Sequence, residues 1–138
     1  MDQVIILDGP APMDGRPRLV ITNVASDNAS KTTVSADFAD ITCPRGTTLT
    51  FTAELRGTDG KVLPVADTFR MPISKRGGGE GMLLATMTAG IVTVIAPFTA
   101  ITDDGAWLVD QATINASLPP AKQMQFRGCT VNVYRAAP

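Results

Sequence analysis

The sequence predicts an all-β protein, an antiparallel β-sandwich of about eight or nine short strands. Three observations carry that expectation. Thr, Val and Ile supply 17, 11 and 9 residues, and such β-branched side chains suit a pleated, half-buried surface. Glu supplies only two residues and Lys four, so the usual occupants of helix surfaces are scarce. Twelve Gly and ten Pro punctuate the chain at the intervals that short strands joined by turns require.

Along the chain, Val4, Ile5, Ile6 and Leu7 form the first apolar run. Residues 8–17, with three Pro, two Gly and two Asp, read as a loop. Residues 18–24 resume as a strand, with Leu19 and Ile21 on one face. Residues 32–38 alternate Thr32, Val34, Ala36 and Phe38 with Thr33, Ser35 and Asp37, the period of a half-buried strand. The clearest strand is 47–55, with Leu49, Phe51, Ala53 and Leu55 facing one way and Thr48, Thr50, Thr52 and Glu54 the other.

Gly57, Thr58, Asp59 and Gly60 supply a tight reversal, and residues 62–65 read as a short edge piece because Pro64 cannot donate to a ladder. Residues 68–73 form another strand, followed by a mobile glycine connection at 77–81. Residues 82–87 and 91–96 form a hairpin about Thr88, Ala89 and Gly90. Both arms are apolar on both faces, which predicts a central, covered pair. Asp103, Asp104 and Gly105 turn the chain into a strand at 106–109. Residues 112–117 fit either a short strand or one helical turn, and Pro119 and Pro120 end it. In a last strand over 123–134, Met124 and Phe126 have the opposite parity to Val131 and Val133. A β-bulge at Gly128 would restore one buried face.

The whole chain, 1–138, reads as one domain with an N-terminal arm of about residues 1–17. A chain of this length buries enough surface to fold without a staple. With no histidine, it carries neither a Ser-His-Asp triad nor His-ligated zinc. A net charge of -1 gives no general attraction to nucleic acid or anionic membranes, and no segment has the length of a membrane helix or the pattern of a secretory signal.

The candidate sites each have a plainer reading. Cys43 and Cys129 fit an inter-sheet disulfide or, at least as well, two buried thiols. The loop 77–81 lacks the order of a phosphate-binding loop. Asp103, Asp104 and Asp110 match no calcium-loop spacing and read as turn acids. Lys75 and Arg76 are the only adjacent basic pair, and seven aromatics give no stacking platform for nucleic acid. Asn28 and Asn115 head glycosylation triplets, without a secretion signal to support their use. Trp107 reads as core. No catalytic, cofactor-binding or metal-binding residue is expected, and no cofactor.

From Leu49 to Tyr134 the order of features is more specific. It runs through Phe51, Glu54 and Leu55, then Asp59 and Gly60, then Thr68, Phe69, Arg70, Met71, Pro72 and Ile73. A glycine loop and hydrophobic hairpin follow, then Asp104, Gly105, Ala106 and Trp107, and finally Val131, Asn132, Val133 and Tyr134. This order resembles the immunoglobulin-like β-sandwich modules of tailed-bacteriophage virion proteins, of the baseplate-upper, fibre and capsid-decoration type. Trp107 lies too far after Cys43 for the Cys-Trp-Cys core of antibody-type domains. The resemblance implies a non-enzymatic structural subunit of a virion, made in the host cytoplasm and acting through contacts with copies of itself and with other virion proteins. A carbohydrate- or receptor-binding module is the alternative, with Trp107 and Tyr134 as its natural aromatics. Residues 4–7 either begin the chain's own sandwich or add to the sheet edge of a neighbouring subunit.

Overall fold

The computed structural model describes residues 15–135, so the apolar run at Val4 to Leu7 lies outside the described residues. The protein is all-β. Its strands are β1 (Arg18–Ser26), β2 (Thr33–Val34), β3 (Asp40–Pro44), β4 (Thr47–Arg56), β5 (Asp67–Lys75), β6 (Glu80–Thr88), β7 (Ile91–Phe98), β8 (Gly105–Val109), β9 (Gln125–Phe126) and β10 (Cys129–Tyr134). One α-helix, α1 (Gln111–Ala116), separates β8 from β9. All ten strands belong to one sheet in the order β2-β3-β10-β8-β5-β6-β7-β4-β1-β9. The expected purely antiparallel pairing is corrected in two places: β9 runs parallel to β1, and β3 runs parallel to β10.

Chain connectivity forces this sheet to curl. β9 is last in the order and β10 third, seven places away. A flat sheet would hold them ~34 Å apart at about 4.8 Å per strand. Yet Phe126 and Cys129 are joined through Arg127 and Gly128 alone, a span of at most about 11 Å. The curl is taken up at two sparse joints. β5 meets β8 only at Ser74↔Leu108 and Lys75↔Trp107, and β6 meets β7 only from Ala85↔Val94 to Thr88↔Ile91. Both halves of the bent sheet feed one core, with Leu49, Phe51 and Val94 from one and Met71, Val109 and Val131 from the other.

β4 shows how the pattern dictates the packing. Its burial alternates along the whole strand, with Leu49, Phe51, Ala53 and Leu55 inside and the threonines between them half-exposed. β1 needs a correction to keep the same alternation. Thr22 is an extra residue between Ile21↔Ala53 and Asn23↔Thr52, and its hydroxyl donates to the Thr52 carbonyl at 3.2 Å. The bulge turns Val24 back toward the core after Leu19 and Ile21.

The β6–β7 turn is Ala89 and Gly90, both at positive φ (51° and 80°), as a two-residue hairpin turn requires. Gly90 also passes close to the loop 61–66: a Cβ there would lie 2.1 Å from the Leu63 carbonyl oxygen. The expected short edge piece at 62–65 is present only as the bridge Arg56↔Val62, with the Leu63 amide donating to the Leu55 carbonyl at 2.9 Å and the Gly90 amide to the Val65 carbonyl at 2.8 Å. The expected strand 32–38 shrinks to β2. Ser35 and Asp37 instead bond the amides of Ala39 and Asp40 and close a turn in which Phe38 takes φ 60°.

The parity change near Gly128 is real, but it is a corner and not a bulge. Phe126 pairs with Leu19 of β1, whereas Cys129 pairs with Val109 of β8. Gly128, at φ 92°, swings the chain from β9, last in the sheet order, to β10, third in it. The ambiguous segment 112–117 is helical because Asp110 caps it, accepting from the Thr113 amide at 2.8 Å.

Candidate interaction surface

β6 and β7 are central in the sheet, as their sequence predicts, but their second face is not covered by any described residue. Alternation sends Ala85 and Met87 inward from β6, and Val92, Val94 and Ala96 inward from β7. Met82 (57% exposed), Leu84 (57%) and Ile95 (59%) therefore point outward, with Ile91 at the hairpin end. Apolar residues on both faces suggested cover. The curl supplies it on the concave side only.

The rest of this convex face carries little charge. Thr68, Thr86, Thr93 and Thr52 stand in one row across β5, β6, β7 and β4. The neighbouring row holds Arg70, Leu84, Ile95 and Thr50, and the next holds Pro72 and Met82. Pro72 is tolerated inside β5 because β8 pairs with that strand only at Ser74 and Lys75, leaving no ladder partner on that side for Pro72 to lose. A broad, low-charge strip of threonine and aliphatic side chains is the composition of a protein-contact surface more than of a solvated one.

The residues singled out in the sequence are dispersed. Trp107 is buried; its Nε1 donates to the Asp103 carbonyl at 2.8 Å, its ring meets Phe98 at 6.2 Å, and Lys75 Nζ sits 5.5 Å above it. Its face is therefore taken by the protein. Lys75 also donates to the Thr102 carbonyl, and the glycines 77–79 close the β5–β6 hairpin through the Lys75 amide on the Gly79 carbonyl.

The three acids do three local jobs. Asp103 accepts from the Ala100 amide, Asp104 pairs with Arg45 at 3.2 Å, and Asp110 caps α1. No group of three metal-ligating side chains comes together among the described residues. Asn115 is buried, with its amide clasping both the carbonyl and the N–H of Met124, so it is closed to glycosylation. Among the described residues no helix is long and apolar enough to cross a membrane.

Cys43 and Cys129 are both buried free thiols. Cys43 stands opposite Val133 on β10, four residues beyond Cys129. That offset is ~13 Å along the strand, well past the ~7 Å limit for a bridge. Burial pushes both thiols up, Cys129 to about 11 with Asp40 adding to the effect. Neither has the character of a reactive thiolate. At the seam between the sheet's two ends, Arg127 pairs with Asp37 at 2.9 Å, and Asp37 is held below the usual carboxylate range first by the Ser35 hydroxyl, then by the Ala39 amide.

Comparison with known proteins finds no matching protein family, no similar curated protein and no similar solved structure.

Proposed function

We propose that the protein is a non-enzymatic structural subunit of a tailed-bacteriophage virion, of the immunoglobulin-like module type, working through contacts with copies of itself and with other virion proteins. One observation carries the reading: the outward face of the central strands β6 and β7 presents Met82, Leu84 and Ile95 to solvent within a threonine-rich strip that carries little charge, Arg70 standing beside Leu84. A strand pair so placed normally has one polar face or two covered ones. A second subunit supplies the missing cover. The two halves of the bent sheet, packed on one core, support the sandwich-like class. The order of features from Leu49 to Tyr134 supports the phage assignment.

Mass spectrometry of purified tailed-phage particles made by a host that carries this gene tests the assignment. The reading expects the chain in the particle at a copy number set by its symmetry. Particles that lack the chain while the cell expresses it contradict the reading. The sugar-binding alternative loses its best residue to the core, because Trp107 has no free ring face.

A further inference from the structure

One end of the curled sheet carries an open apolar groove of about 250 Å³. Leu55 from the end of β4, Phe69 from the start of β5, and Leu63 and Val65 from the loop 61–66 form one side; Leu118 and Met124, from the segment after α1, form the other. The groove is smaller than the ~300–1,000 Å³ of pockets that take drug-sized ligands, and suits a few aliphatic side chains. Gln123 braces its wall. Gln123 donates its Nε2 toward the carbonyls of Asn115 and Leu118, which fixes the orientation of its amide, and its Oε1 is buried with no partner among the described residues.

Pro17 stands on the rim of this groove. Nine residues, 8–16, join it to Val4, Ile5, Ile6 and Leu7, the most apolar run of the N-terminal stretch. Ten Cα steps from Leu7 to Pro17 reach at most about 35 Å, so residues 4–7 are within range of the groove of their own chain. We infer that the groove is the docking site for the chain's own residues 4–7, whose aliphatic side chains match its apolar lining. This inference stands apart from the virion reading, since it rests on the end groove and not on the β6–β7 face. It also differs from addition to a neighbour's sheet edge, because the tether favours the groove of the same chain.

Photo-cross-linking tests it. A benzoyl-phenylalanine placed at Ile6 in the full-length chain, in an equal mixture of unlabelled and ¹⁵N-labelled protein, would be irradiated and its products sequenced by mass spectrometry. The inference expects cross-links to 63–65 and 118–124 within single-isotope chains. Cross-links elsewhere, or joining labelled to unlabelled chains, overturn it. As a second readout, the Ile5→Asp, Ile6→Asp variant should speed amide exchange at 63–66 by roughly tenfold or more, as expected for losing a buried aliphatic contact. Unchanged exchange there overturns the inference as well.

Discussion

Leu84 and Ile95 stand one residue beyond Ala85 and Val94, the last residues of β6 and β7 to pair with each other. Both are carried outward at the point where the strands part, and each keeps more than half of its surface exposed. β6 continues along β5 while β7 continues along β4. The fork that bends the sheet around its core therefore also displays two large aliphatic side chains on its convex side. Fold and candidate surface are two consequences of the same divergence.

Core and convex face should respond oppositely to truncation. Leu49 is fully buried, so Leu49→Ala should cost about 2–5 kcal/mol. Leu84→Ala should stay within about 0.5 kcal/mol of the parent, as exposed positions do. Urea unfolding of the two variants checks both, and a large loss at Leu84 would mean that this face is covered within the chain.

Two glycines at similar φ should separate conformational strain from steric clash. Gly60 (φ 82°) has open space where a Cβ would go, so Gly60→Ala should cost only the ~1–2 kcal/mol of the left-handed conformation. Gly90 (φ 80°) has the Leu63 carbonyl 2.1 Å from that position, so Gly90→Ala must also displace the loop 61–66. Thermal melts should rank Gly90→Ala well below Gly60→Ala.

The thiols set an alkaline limb of stability. The folded state holds Cys129 near 11 against 9.0 when unfolded. Above pH 9 the unfolded chain gives up this proton first, so the folded state binds more protons and stability falls as pH rises toward 11. The contribution is complete below pH 9. Unfolding curves at pH 8 and pH 10.5 should show a smaller alkaline loss for the Cys43→Ala, Cys129→Ala variant than for the parent. That variant should keep a cooperative melt, because no disulfide is lost.

Helix α1 depends on its cap. Asp110→Ala removes the acceptor for the Thr113 amide and should cost about 0.5–2 kcal/mol. The loss should appear first as faster amide exchange in residues 111–117, which the cap anchors against β5 through the Ser117 hydroxyl and the Arg70 carbonyl.

The period-2 runs made much of this fold legible. β4, the β6–β7 hairpin and the turn at Gly57 follow from alternation and turn residues alone. β3 was illegible because Asp40–Pro44 is short and ends in proline, and its place is set by parallel pairing with β10, far along the chain. Residues 35–38 alternate like a strand, yet the Ser35 and Asp37 side chains out-compete the ladder for the local amides. At Gly128 the pattern located the break, while its form depended on β9 and β10 lying seven places apart. The convex face was half legible: the sequence shows apolar residues on both sides of β6 and β7, and only the curl shows which side stays open.

Sedimentation equilibrium of the purified chain beside its Met82→Thr, Leu84→Thr, Ile95→Thr variant tests the assembly surface most directly. The three substitutions keep β propensity and lie on the exposed face, so the variant should melt like the parent. The parent is predicted to self-associate with rising concentration, and the variant to remain a monomer with an unchanged melt. A parent that stays monomeric at all concentrations, or a variant that associates as the parent does, would contradict an assembly role for this face.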